Sequence, residues 1–130
     1  MVIDTSAIIA ILLAEPEAKA LAQAILGDSK RLMSAFSLLE CSIVIESKKG
    51  EAGGMALDAL LQRLQVEIVA MDVDQSQLAR EAWRRFGKGR HPAALNIGDC
   101  CSYALAKYSE ELLLFKGDDF NHSDIPCVAW

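Results

Sequence analysis

The chain begins Met1-Val2-Ile3-Asp4-Thr5-Ser6, a short apolar segment that ends at a carboxylate followed by two hydroxyl residues. The apolar residues predict a first β-strand, and Thr5 or Ser6 can cap a helix that follows it. Asp4 is then placed at the carboxyl end of the strand, the edge at which parallel sheets bind ligands. The acid is therefore a candidate site residue as well as a candidate helix cap.

Further apolar segments alternate with stretches of helical periodicity along the chain. Strands that are apolar rather than alternating, and that are separated by helices, indicate an α/β fold: a Rossmann-like parallel sheet of four to five strands flanked by helices on both faces. The predicted strands are 1–3, 31–33, 66–70, 112–115 and 126–129; the predicted helices are 5–14, 16–28, 37–49 (ending at Gly50), a leucine-rich stretch at 57–64, one capped by Asp74 that ends near Gly87, and one from Asn96 to about 108, after a loop at 88–95.

The composition describes a single domain, residues 1–130, with 52% hydrophobic residues and a formal net charge of −5. A chain of this length typically buries roughly two-thirds of its unfolded surface, so it needs no disulfide or metal to fold. The longest apolar run, residues 7–14, is far shorter than the ~20 residues that cross a bilayer. We expect a cytoplasmic protein without membrane contact, and we expect its thiols to be reduced because no CxxC spacing occurs: Cys41, Cys100, Cys101, Cys127.

Three further positions place carboxylates at strand ends or at helix starts. Glu40 lies in Ser37-Leu-Leu-Glu40 and Asp99 in Asn96-Ile-Gly-Asp99, and both segments match a capping box. Asp118 and Asp119 directly follow the apolar segment 112–115. Capping is a real alternative to a functional role for each of the first two acids.

These acids would converge at one edge of a parallel sheet, where their like charges either raise a pKa or require a cation. The ligands would be oxygens only, which favours Mg²⁺, with Mn²⁺ as the alternative, over Zn²⁺. A bound ion of this kind can activate water for attack on phosphorus. The residues therefore indicate phosphodiester hydrolysis.

The opening segment, the Glu40 helix, Leu95-Asn96-Ile-Gly-Asp99-Cys100 and Phe115-Lys-Gly-Asp-Asp-Phe120 together resemble the PIN-domain ribonucleases, specifically the VapC toxins of bacterial toxin–antitoxin pairs. The resemblance implies a PIN-like fold, a Mg²⁺- or Mn²⁺-dependent endoribonuclease and a VapB-type antitoxin as partner. By position, it implies three core acids, a hydroxyl that supports the first acid and a polar residue beside the site. These are Asp4, Glu40, Asp99, Ser6 and Asn96.

The fourth acid of the family has no direct match. Many relatives carry an aspartate where this chain has Gly117, so the resemblance assigns the role to Asp119, with Asp118 as the alternative. The departure leaves the number of bound metal ions open.

A basic segment precedes Asn96 and Asp99. It contains four cations in seven residues without an acid: Arg84, Arg85, Lys88 and Arg90. Such charges are also typical of a solvated helix end. Beside an acidic pocket they would hold RNA phosphates, and with few aromatic residues for base stacking we expect a structured RNA of the tRNA or rRNA class as substrate.

Two amphipathic segments, 17–26 and 54–64, carry more leucine than a small sheet requires. They are candidates for an antitoxin groove or for the interface of a homodimer. An antitoxin could also insert a Lys or Arg among the acids.

Other functions remain open at this stage. An aspartyl phosphatase also uses an aspartate at the first strand end with Mg²⁺, but it requires a second one where Ser6 stands. A phosphoacceptor receiver domain requires paired acids before the first strand end and a strand-end lysine, for which only Lys116 is suitable. A PIN-like module that binds RNA or a partner without cutting is the non-enzymatic alternative.

Overall fold

The computed structural model describes residues 1–130 and contains one sheet of four parallel strands. The strands are β1 (Val2–Ile3), β2 (Leu32–Ser34), β3 (Glu67–Val69) and β4 (Leu113–Leu114), in the order β3-β2-β1-β4. The chain moves outward from β1 to β3 and then returns to place β4 on the other side of β1. The carboxyl ends of β1 and β4 therefore flank the point where the strand order reverses, which is where open α/β sheets bind ligands.

Five helices and a short 3-10 turn cover the sheet. They are α1 (Thr5–Leu12), α2 (Ala18–Leu26), α3 (Ala35–Arg63), α4 (Val73–Phe86), α5 (Ile97–Ser109) and the turn Asp119–His122. Two apolar clusters, one built around α4 and α5 and the other around α1, α2 and α3, contain residues of the central strands. The predicted α/β fold with a parallel sheet is confirmed, and the sheet has four of the four to five strands expected.

The last predicted strand, 126–129, is not a strand. It contributes one isolated bridge, between Leu113 and Cys127, in place of a ladder. Pro126 has no backbone N–H, which limits the pairing of this segment. All four cysteines are free thiols, as the sequence predicts.

Two helices begin earlier than the sequence indicates. The cap of α3 is Ser34, which accepts a hydrogen bond from the Phe36 N–H, so Ser37 is inside the helix and Glu40 lies in the second turn. The cap of α4 is Asp72, which accepts from the Gln75 N–H, and Asp74 is in the first turn. The capping box predicted at Ser37 is therefore wrong, because the polar residue at the end of the preceding strand already caps the helix.

The helix break predicted at Gly50 is confirmed. Its φ of +66° and ψ of −164° are not helical, and they divide α3 into two helices that continue almost without a gap. Glycine adopts this φ without the steric cost of a side chain. The chain thereby redirects the leucine-rich second half of α3, while the first half, which carries Glu40, remains beside the sheet edge.

Candidate functional site

Asp4 is almost fully buried at the carboxyl end of β1. Its Oδ2 accepts hydrogen bonds from the Ser6 N–H at 2.9 Å and from Ser6 Oγ at 2.7 Å. Ser6 Oγ itself accepts from the Lys116 N–H at 2.9 Å, just after β4. Of the three candidate caps Asp4, Thr5 and Ser6, Asp4 is thus the one that caps α1, and the same bonds fix its carboxylate between the ends of two strands.

Ser102 holds the other oxygen of this carboxylate. Its Oγ donates to Asp4 Oδ1 at 2.6 Å, and the Ser37 hydroxyl lies 3.3 Å from Ser102 Oγ. Both serines are fully buried. Neither was identified from the sequence, because a serine within an apolar helix pattern gives no sign of the distant residue that it contacts.

Glu40 is fixed by a neighbour from α1 and by a glycine from α5. Thr5 Oγ1 donates to Glu40 Oε1 at 2.6 Å. A Cβ at Gly98 would lie only 2.5 Å from Glu40 Oε2, so any other residue at this position would displace the Glu40 carboxylate. Glu40 therefore lies against the first turn of α5, next to Asp99.

Asp99 forms the capping box that the sequence predicts. Its N–H donates to Asn96 Oδ1 at 2.8 Å, and its Oδ2 accepts from the Asn96 N–H at 3.0 Å. Burial raises the pKa of Asp99 to about 7, and the negative charges of Asp4, Asp119 and Glu40 add to the shift although the bond from Asn96 opposes it. Asp99 therefore both caps α5 and is influenced by the charges of the other three acids.

Asp119 and Asp118 differ in their surroundings, although both are exposed. The charge of Asp119 contributes to the raised pKa of Asp99. Asp118 Oδ1 accepts a hydrogen bond from Asn121 Nδ2 at 3.2 Å, within its own turn. Of the two acids, Asp119 is the one whose charge acts on the buried site.

No cation of the protein neutralises these four acids, since none of them forms a salt bridge; the nearest strand-end lysine, Lys116, pairs instead with Glu15 and Glu17. No three His, Cys, Asp or Glu side chains are arranged closely enough to form a ready metal-binding cluster. The structure therefore brings the predicted acids together as an uncompensated negative region. It does not assemble them into a closed ligand set.

Comparison with known proteins agrees with this geometry. The PIN domain family model matches residues 1–125. The ribonuclease VapC of Mycolicibacterium smegmatis is 56% identical over 128 residues, which are 98% of this chain and 99% of that protein. The chain belongs to the PIN-domain family. Its high identity to a full-length relative places it among the VapC ribonucleases.

Solved structures show the same fold at much lower identity. The crystal structure of Mycobacterium tuberculosis VapC20, a sarcin-ricin loop cleaving toxin, superposes with a TM-score of 0.78 at 16% identity and covers 98% of this chain and 97% of that one. VapBC2 from Rickettsia felis, bound to a DNA fragment from its promoter, gives a TM-score of 0.77 at 15% identity, with coverage of 99% and 97%. The PIN fold is therefore shared well beyond recognisable sequence similarity.

The four basic residues of the segment before α5 are all exposed, but their contacts differ. Arg85 pairs with Asp124 at 3.2 Å, and the Arg90 guanidinium stacks 4.6 Å from the centre of the Trp83 ring. Arg84 and Lys88 form no salt bridge with a protein acid, and Lys88 shares a cavity wall with Asn96. Arg84 and Lys88 are thus the cations of this segment that are most available to a ligand.

The exposed apolar side chains lie in a different place from the one the sequence indicates. Most leucines of 17–26 and 54–64 are buried, and the segments expose chiefly Leu26 and Met55. Larger exposed apolar side chains lie on the first half of α3 and at the start of α5: Ile43 is 61% and Ile97 70% exposed, and Ile97 lines a cavity of about 590 Å³. We call this the apolar surface; its residues are Phe36, Leu39, Ile43, Trp83 and Ile97.

No helix of the protein combines the length and the apolar character needed to cross a membrane.

Proposed function

We propose that this PIN domain is a divalent-metal-dependent endoribonuclease, the toxin of a type II toxin–antitoxin pair, and that it cuts structured RNA at the edge formed by Asp4, Glu40, Asp99 and Asp119. The observation that carries the proposal is a group of mutually repelling carboxylates, without a neutralising cation, at the ligand-binding edge of a VapC-type chain. A structural role alone gives no reason to retain such repulsion, whereas a metal site does.

The donor set fits Mg²⁺ or Mn²⁺. It consists of carboxylate oxygens with neighbouring hydroxyls, which are hard ligands. Mg²⁺ usually keeps several waters and takes one or two carboxylates together with substrate phosphate oxygens. Asp4 and Asp99, with Glu40 and Asp119 beside them, would hold the ion without a closed three-carboxylate cluster.

A bound ion would supply Lewis acidity and a more acidic water for hydrolysis of a phosphodiester. The residues of the chain do the positioning. Asn96 and the first turn of α5 fix Asp99, Thr5 and Gly98 fix one orientation of Glu40, and Ser6 fixes Asp4. Since burial already holds most of these groups in place, little reorganisation is required when RNA arrives.

RNA would approach across the segment that precedes α5. Arg84 and Lys88 present free positive charge there, and Lys88 lies beside Asn96, three residues from Asp99. A cationic surface next to an acidic edge can hold flanking phosphates while one phosphate enters the site. Arg85 and Arg90 would contribute less, because protein groups already engage their guanidinium groups.

A VapB-type antitoxin is the proposed protein partner, and a second copy of the chain the proposed oligomer, with cytoplasmic location for the complex. The apolar surface supports a protein contact, because contiguous exposed apolar side chains mark interaction sites. It adjoins Glu40, which shares a groove with Phe36 and Leu39, so a bound partner would also restrict access to the acids.

The proposal is tested with purified protein and a structured RNA in Mg²⁺ or Mn²⁺. We expect cleavage that EDTA abolishes, and we expect Asp4→Asn to lose it while remaining folded. Asp58→Asn, which makes the same chemical change at an exposed position of α3, is the matched control and should cleave normally. A folded wild-type protein that binds RNA without cutting it in either metal would indicate the non-catalytic PIN-like module instead.

Mapping the 5′ ends of cellular RNAs after brief induction would identify the substrate. Cuts concentrated at one folded site of a tRNA or rRNA are expected. Cuts spread over unstructured messenger RNA would contradict the substrate class.

A further inference from the structure

The Asp4 carboxylate is held by three donors, and their distribution over its two oxygens is uneven. Oδ2 accepts from the N–H and the Oγ of Ser6, and Oδ1 accepts only from Ser102 Oγ. A carboxylate oxygen offers about two lone-pair positions. Oδ2 is therefore saturated, and the one acceptor position of Asp4 that is free lies on Oδ1.

The hydrogens in this network can be counted. The Ser102 hydroxyl has one hydrogen, which it gives to Asp4, so in its contact with Ser37 it must be the acceptor and the Ser37 hydroxyl the donor. The Ser6 hydroxyl likewise gives its hydrogen to Asp4 and accepts from the Lys116 N–H. In both series of hydrogen bonds, Ser37 to Ser102 to Asp4 and Lys116 to Ser6 to Asp4, the donors thus point toward the Asp4 carboxylate.

Ser102 differs from the ordinary serines of these helices. A buried or half-buried helix serine usually bonds back to the carbonyl of the preceding turn. Ser109 does so on the same helix, donating to the Leu105 carbonyl at 2.6 Å, and Ser42 does so on α3, donating to the Leu38 carbonyl at 2.8 Å. Ser102 forgoes that bond and contacts an acid 98 positions away in the sequence.

We infer that Ser102, supported by Ser37, is a positioning residue that sets the orientation of the Asp4 carboxylate and leaves a single Oδ1 lone pair free for a divalent cation. Ser102 is three residues after Asp99 on α5, and Ser37 is three residues before Glu40 on α3. The two hydroxyls therefore link the helices that carry Asp99 and Glu40 to the strand end that carries Asp4. The inference rests on the proposed metal site and specifies that Asp4 binds through one oxygen.

The test is a calorimetric titration of metal-free protein with Mn²⁺, in the absence of RNA, for wild type and Ser102→Ala. Removing a group that orients a metal ligand typically weakens metal affinity 10- to 100-fold, and we expect a loss in that range. Ser37→Ala should give a smaller loss, because Ser102 keeps its hydrogen bond to Asp4. In RNA cleavage at saturating metal, kcat should fall for Ser102→Ala while KM for RNA stays unchanged.

Ser109→Ala is the matched control, since it removes a hydroxyl from the same helix without touching the acids; its Mn²⁺ affinity should equal that of wild type. If Ser102→Ala fails to fold, Ser102→Cys keeps most of the volume with a much weaker donor and should show the same loss. A folded Ser102 variant with wild-type Mn²⁺ affinity would overturn the inference. If wild type itself takes up no Mn²⁺ and cuts no RNA, the proposed function fails, which is a distinguishable result.

Discussion

Asp99 lies in the first turn of α5 and Asp124 contacts two side chains of the same helix, and the charges of the two aspartates have opposite surroundings. Asp124 accepts a hydrogen bond from Tyr103 at 2.6 Å and pairs with Lys107 at 3.3 Å and Arg85 at 3.2 Å. Burial acts to raise its pKa, but these partners outweigh burial and hold the pKa below its usual range. Asp99 has no cationic partner, and burial together with neighbouring acids raises its pKa to about 7.

The difference separates a carboxylate whose charge stabilises the fold from one whose charge is left uncompensated. The partners of Asp124 stabilise its charge, so its ionisation favours the folded state. The ionisation of Asp99 opposes folding, and a protein keeps such a group when a ligand supplies the missing charge. The comparison predicts that substitutions at the two positions will change different properties.

The largest expected effect is the loss of RNA cleavage in the Asp99→Asn variant. The variant keeps an oxygen that can accept the Asn96 N–H bond but loses the charge that a cation requires, so cleavage should fall by about 100-fold or more. The initial cleavage rate of a structured RNA in Mg²⁺ measures it. Asp124→Asn should keep near-normal cleavage, and equal losses in the two variants would remove the distinction between the sites.

The next effect is on the pH dependence of stability in EDTA. The folded pKa of Asp99, about 7, lies above the unfolded value of ~3.9, so the folded state holds a proton that the unfolded state has released. The contribution of Asp99 to stability should therefore be full below about pH 4, decline as pH rises toward 7 and be lost above it.

Asp99→Asn should remove this decline and gain on the order of 2 kcal/mol of unfolding free energy at pH 8 relative to wild type. Urea unfolding at pH 5 and pH 8 measures the change. Mg²⁺ should restore part of the stability of wild type at pH 8 and none in the variant. A wild-type stability that rises between pH 5 and pH 8 would contradict the charge repulsion.

A smaller effect of opposite sign is expected for Asp124→Asn. Loss of the charge leaves Lys107 and Arg85 without their partner and weakens the Tyr103 hydrogen bond, which should cost on the order of 1 kcal/mol. Thermal unfolding at pH 7 in low and in high salt provides the measurement. Because the pair is partly exposed, the cost should shrink in high salt; a variant as stable as wild type at low salt would show that the ion pairs contribute nothing.

The smallest effect concerns the basic segment. In an Asp99→Asn background that cannot cut, replacing Arg84 and Lys88 by Ala should lower the slope of log affinity for RNA against log salt by about 1.5, since two phosphate contacts are lost. Replacing Arg85 alone should change the slope less, because Asp124 already engages its charge. An Arg85 variant with the larger change in slope would reverse this assignment.

Local sequence patterns predicted the elements that carry the acids. Asp4 after β1, the Asn96–Asp99 box and the break at Gly50 all lie where short-range rules place them. The predicted start of α3, at Ser37, was wrong because Ser34 is both the last residue of β2 and the cap of the helix. A residue that satisfies two local rules at once cannot be assigned from its neighbours alone.

Rules based on neighbouring residues do not predict contacts between distant segments of the chain. The closeness of Gly98 to Glu40 and the bond of Ser102 to Asp4 join segments far apart in the chain. The same limit explains the leucines of 54–64: their helical spacing is correct, but which of them would be covered depended on how the second half of α3 packs after Gly50. Leu57 and Leu61 are buried, while Met55 faces solvent.

The sequence by itself determined an α/β chain with carboxylates at strand ends and helix starts, because strand formation, capping and glycine breaks depend on a few adjacent residues. Only the tertiary structure decided which charges are neutralised and which are left to repel one another. Arg85 and Lys107 reach Asp124, while no cation reaches Asp99. The reason is that a charge interaction falls off with distance in space and not along the chain.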